Sequence, residues 1–211
     1  MAGLMDLLNS DIGKTLISGA SAKSGASEGD TAGILSMALP VLMGAMKKNV
    51  QTEEGASGLL GALSGKHNGG VLDTIGDLMG NGGPDESSMS DGAGILGHLL
   101  GGNQSNVESA LSSKSGVDAG SIGQILKVAA PVLMGVIGKQ TQQAGINDAS
   151  GMNNLLGGLL GGESQGNQSL ITSLLDSDGD GSILDDVAGM VLGGNKSGGG
   201  IGGLLGGLFG K

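Results

Sequence analysis

The sequence predicts an all-α, multihelical protein made of two tandem-duplicated helical units, each around a buried, proline-containing helix. Three observations carry this. Residues 34–48 (ILSMALPVLMGAMKK) and 125–139 (ILKVAAPVLMGVIGK) are apolar nearly all the way round at helical spacing. A helix of that kind must be wrapped by others. The chain also repeats itself: residues 18–48 align without a gap to residues 109–139 at an offset of 91, with 15 of 31 positions identical. Finally, no stretch alternates polar and apolar residues over a strand's length, and β-branched residues are sparse.

Taken in order, the first unit predicts short helices over 4–8 and 11–20, then a loop over 24–30 with Asp30 or Thr31 as N-cap. The central helix then runs to about Lys48. Pro40 lies inside it and lacks the N–H that would bond the Ser36 carbonyl, so it either kinks the helix or starts a second one after a break. Lys47 and Lys48 close the helix where its dipole favours cations. Helices over 53–63 and 71–79 follow, with a turn at 67–70 between them. The second unit repeats the plan with helices near 94–100, 106–113, 122–140, 150–160, 168–175 and 184–192. The division is residues 1–79 for unit one, 80–91 for a polar linker, 92–193 for unit two and 194–211 for a Gly/Leu-rich tail.

Composition narrows the function. Gly is very high at 47 residues without a collagen period, and the lone aromatic is Phe209. The core must therefore be Leu, Ile, Val, Ala and ten adaptable Met residues. A formal charge of −10 with no basic stripe argues against nucleic acid as a partner. The absence of Cys removes disulfides, thiolate metal sites and Cys nucleophiles. The N-terminus has neither a basic n-region nor an h-region, and no uninterrupted apolar run is long enough to span a bilayer. A soluble cytoplasmic protein is expected.

One stretch carries sharp chemistry. Asp176, Asp178 and Asp180 occupy positions one, three and five of an EF-hand-like loop, Gly181 the sharp turn at six, and the Ser182 carbonyl position seven. Alternate spacing lets three carboxylates converge on one hard cation. Position twelve is Val187 instead of the bidentate Glu, and the acids come early, as Asp185 and Asp186. A shortened loop closed by Asp186, with Asp185 or water assisting, is expected to bind calcium. The bland reading is a metal-free turn capping a helix. Five aspartates within eleven residues repel one another without a cation, which favours the ion. The equivalent stretch of unit one, residues 80–91, lacks the alternating acids, leaving Asp85 and Glu86 as weak alternatives.

Other sites are poorer. His67 and His98 stand in no metal-binding spacing and are expected at the surface or at helix ends. No nucleophile elbow or phosphate loop occurs, and Lys23-Ser24-Gly25 and Lys114-Ser115-Gly116 are expected to be turns. An enzyme is not expected, unless a pocket gathers several convergent acids and a histidine.

Residues 34–44, the run from Asp91 to Gly102 (DGAGILGHLLGG) and the Asp-rich loop together resemble the bacterial DUF937 proteins, relatives of the YidB-like group. The likeness covers most of the chain and is most specific in the core of unit two. It implies a multihelical fold and a bacterial, cytoplasmic protein. It brings no established activity and no catalytic residues. The expected function is a non-enzymatic interaction or assembly protein with one structural calcium loop, acting through a protein partner or a homo-oligomer. The alternative is a peripheral membrane or self-associating protein that uses the tail, residues 201–211.

Overall fold

The computed structural model describes residues 4–79 and 83–160. The calcium-loop residues Asp176, Asp178, Asp180, Ser182, Asp185 and Asp186, the helices expected beyond Leu160 and the Gly/Leu tail lie outside the described residues. Among the described residues the chain is helical throughout and forms no strand, as the sequence predicts. The helices are α1 (Leu4–Asn9), α2 (Asp11–Ser24), α3 (Glu28–Asn49), α4 (Glu53–Ser64), α5 (Gly70–Asp73), α6 (Ile75–Met79), α7 (Glu86–Leu100), α8 (Gln104–Ser115), α9 (Ala119–Gln143) and α10 (Ala149–Leu160). A 3-10 turn at Gly101–Asn103 joins α7 to α8.

The two central helices, α3 and α9, form the spine. Every residue from Ala38 to Met46 in α3 and from Val128 to Gly135 in α9 is buried. Both helices are long and apolar enough to cross a membrane, yet 67% and 72% of their most apolar windows are buried inside the fold, as in core helices. Each proline is carried inside one unbroken helix. This settles the choice left open at Pro40: no second helix starts there. Ser36, whose carbonyl Pro40 frees, is half-buried.

Entry into both spines follows one recipe. The preceding helix ends on a glycine in the left-handed conformation, Gly25 or Gly116, each with φ 76°. Glycine takes this φ without a Cβ penalty. Two residues later a polar side chain caps the spine: the Ser27 hydroxyl accepts from the Asp30 N–H, and the Asp118 carboxylate accepts from the Ser121 N–H. The cap of α3 is therefore Ser27, earlier than the expected Asp30 or Thr31. Asp30 contributes otherwise, accepting a 2.7 Å bond from the Ser27 hydroxyl.

The helices surrounding the spine are interleaved. α2 packs more extensively on α9 than on α3, α4 and α5 also lie on α9, and α10 lies on α3. The buried side chains of both halves join one hydrophobic cluster. Two further boundaries differ from expectation. The helix expected over 71–79 is split at Thr74, because Val71 docks against Gly135 of α9 while Met79 docks against Gly19 of α2. The expected linker is helical from Glu86 onward. Asp85 caps α7 by accepting the Ser88 N–H at 2.9 Å, and that bond holds the Asp85 carboxyl below its usual range. The acids of residues 80–91 thus start a helix instead of a cation loop.

Candidate functional site

Helices α4 and α7 both rest on α9 and on α3 but touch each other little. Between them lies a cleft of about 840 Å³. Asn49 and Met134 contribute from the two spines, and one face of each wall helix lines the sides. Along α4 the lining positions are Glu54, Gly55, Gly58, Leu59 and Ala62, continued by Lys66 and His67. Along α7 they are Ser87, Ser90, Asp91, Gly94, Ile95, His98 and Leu99. Both sets recur at three- and four-residue spacing, the signature of a single helix face.

The spine α9 holds the walls through backbone contacts. Pro131 has no N–H, so the Lys127 carbonyl loses its helical partner. Gly92 of α7 lies directly against that carbonyl, where any Cβ would overlap it. A Cα–H···O contact thus covers the freed oxygen. Two turns past Pro131, Gly138 makes a second close approach: a Cβ there would overlap the His67 carbonyl. These two crossings place Asp91, beside Gly92, opposite His67 and Lys66 at the end of α4.

The polar end of the cleft follows from that placement. Lys66 Nζ lies 2.6 Å from Asp91 Oδ1, and His67 Nε2 lies 3.8 Å from Asp91 Oδ2. Lys66 is mostly exposed, so this bridge contributes at most about 1 kcal/mol and chiefly ties α7 to the end of α4. Contrary to expectation, His67 is not a surface residue: 8% of its side chain is exposed. The Asp91 oxygen is too distant for a hydrogen bond, and the ring has no closer side-chain partner among the described residues. Burial pushes the imidazole below its ordinary pKa; Asp91 opposes the shift and Lys66 adds to it. At neutral pH the ring is uncharged, with one donor and one acceptor nitrogen. His98 sits in the last turn of α7, exposed, on the same cleft.

At the other end, Asn49 donates to the Leu99 carbonyl at 3.3 Å and to the Ala45 carbonyl at 2.9 Å, fastening the end of α7 to the last turn of α3, just before α4 begins. Glu54 stands at this end, one helix length of roughly 18 Å from Lys66. The two acids of the cleft are therefore not convergent. Leu59, Ala62, Ile95, Leu99 and Met134 supply the apolar lining between them. Gly58 and Gly94 are exposed, and a Cβ at either would meet no atom within 4 Å. Absent side chains thus help keep the cleft open.

No group of three or more metal-ligating side chains occurs among the described residues. Sequence reasoning missed this site because its residues come from four helices and a turn. The one legible signal was that both histidines and Asp91 fall near predicted helix ends.

A profile described as a bacterial protein family of unknown function, DUF937, matches residues 6–140. The match contains every residue that lines the cleft and stops before the Asp-rich loop. No curated protein and no solved structure matches the chain. The matched stretch spans well over half of the 211 residues, and the chain belongs to the DUF937 family.

Proposed function

We propose that this is a non-enzymatic, cytoplasmic binding protein whose recognition site is the cleft between α4 and α7. The observation that carries the reading is an open, apolar-lined cleft of about 840 Å³ with the mostly buried His67 ring in its wall. That volume falls in the range typical of ligand sites. The separation of Glu54 and Asp91 supports binding over acid–base chemistry, because two catalytic carboxylates have to face one reacting group.

The test is a comparison of two baits, the native chain and Gly94→Leu, in extracts of the bacterial host. A Cβ at this position meets no atom within 4 Å, so Leu starts from an exposed helix face and extends into the cleft. A binding component retained by the native chain and lost from Gly94→Leu supports the reading. Identical recovery by both baits overturns it.

A calcium ion held by Asp176, Asp178, Asp180, the Ser182 carbonyl, Asp185 and Asp186 is a second, structural element of the proposal. Its support is the alternating acid spacing and the glycine at loop position six. Calorimetry on the full chain is expected to show calcium binding that Asp178→Ala abolishes or strongly weakens. Equal heats for both proteins would exclude this ligand set.

A further inference from the structure

We infer that the cleft takes one amphipathic α-helix of a partner protein, apolar on the face that enters and bearing Lys or Arg at the end that meets Glu54. This rests on the reading of the cleft as a binding site and names its occupant. The shape comes first. Lining residues run from Ser87 to Leu99 on α7, about 18 Å of helix at 1.5 Å per residue. The opposite wall runs antiparallel over a similar length, since Asp91 meets Lys66 and His67 at one end while Leu99 meets Asn49 at the other. A trough about three turns long, walled by two helices and backed by two more, has the form of a bundle with one helix missing.

The lining gives the chemistry of the occupant. Leu59, Ala62, Ile95, Leu99 and Met134 would meet leucine-like anchors at three- and four-residue spacing. Gly58 and Gly94 leave open space on the two walls, so the backbone of an incoming helix can approach closely. Met134 adds an adaptable surface under the anchors. The His67 ring supplies one donor and one acceptor for a polar side chain on the entering face.

Charge decides between a helix and an anionic amphiphile. Glu54 marks one end of the trough and Asp91 the other, and Asp91 already neutralises Lys66. The chain carries a formal charge of −10. A fatty-acid carboxylate would face Glu54 at one end and an already paired Lys66 at the other, whereas a cationic side chain at the Glu54 end of a helix would find a partner and be steered inward.

The experiment uses the full chain and three probes: a helical peptide with Leu at positions i, i+3, i+4 and i+7 and Lys elsewhere, the same peptide with Glu in place of Lys, and palmitate. Binding is read by calorimetry and by the ring resonances of His67 and His98. The Lys peptide is expected to bind and move the His67 signals. Its affinity should fall about tenfold or more with Gly94→Leu, a change of about 1.4 kcal/mol. It should also fall severalfold with Glu54→Gln, and the Glu peptide should bind far more weakly than the Lys peptide. A melting curve of Gly94→Leu at or above the native midpoint shows that the fold is kept. Lys-peptide affinity unchanged by Gly94→Leu, or an unmoved His67 ring, overturns the inference. Palmitate shifting His67 and losing its site in Gly94→Leu, with the peptide inert, overturns the helix but leaves the cleft as a binding site. A cleft that no probe enters, combined with identical recovery by the two baits, overturns both.

Discussion

Gly92 and Gly58 look alike in the sequence, each a glycine inside a helix, and the structure gives them opposite consequences. Gly92 sits against the Lys127 carbonyl that Pro131 leaves unbonded, and a Cβ has no room there. Gly92→Ala is expected to destabilise by about 1–3 kcal/mol, as overpacking does, read as a lower denaturant midpoint. Gly58 faces open space, so Gly58→Ala should stabilise by up to about 1 kcal/mol through helix propensity. Equal effects of the two substitutions would contradict the crossing at Pro131. His67 makes a separate prediction. Its folded pKa lies below the ordinary 6.5 because burial disfavours the charged ring. The unfolded chain therefore binds a proton first as pH falls. The stability that the neutral ring contributes is present above about pH 6.5 and is lost as pH drops through the folded value. His67→Gln should flatten the stability profile in that window. Nothing local announces this burial: His67 is buried because α9 offers Gly138 as a landing place for its carbonyl.

At the scale of elements, the spines were legible in advance because an all-round apolar pattern has one economical solution, a helix in the middle of others. Their starts were less so. The expected caps, Asp30 and Thr31, both lie inside the helix, whose cap is Ser27. The Ser27 hydroxyl accepts from the Asp30 N–H and donates to the Asp30 carboxylate. Ser27→Ala should cost about 1 kcal/mol, seen as a lower melting temperature. Asp30→Asn should cost less, because the Asp30 N–H keeps its acceptor. The stretch expected to be a linker shows the same limit. Its Ser, Asp and Glu residues suit a loop, but they equally suit the first turns of a helix whose apolar face begins later, at Ile95 and Leu96. A helix cap at Asp85 decided it.

At the scale of the whole molecule, the halves are interleaved. α2, α4 and α5 lean on α9, and α10 leans on α3, so each half completes the other's core. A fragment ending at Asn81, the equivalent of the first half, would expose the buried faces of α3 and α4. Neither that fragment nor its complement is expected to hold a cooperative fold alone, and mixing the two should restore helical circular dichroism. The intact chain should melt in one transition through its described core. Two independently folding halves, or two separate transitions within residues 4–160, would contradict the shared core.

The sequence by itself determined the all-helical class and the two buried spines with their prolines, because these follow from periodicity and composition, which are local and additive along the chain; the family came from the likeness of particular runs such as residues 34–44 and 91–102. The cleft was decided by tertiary structure alone. Its walls are helix faces that the sequence shows to be patterned but cannot place opposite one another, and its position depends on two glycines meeting two carbonyls across α9. Backbone-to-backbone approach of that kind leaves no trace in periodicity. Only the packed molecule shows which glycine is filled by a neighbour and which is left open to a partner.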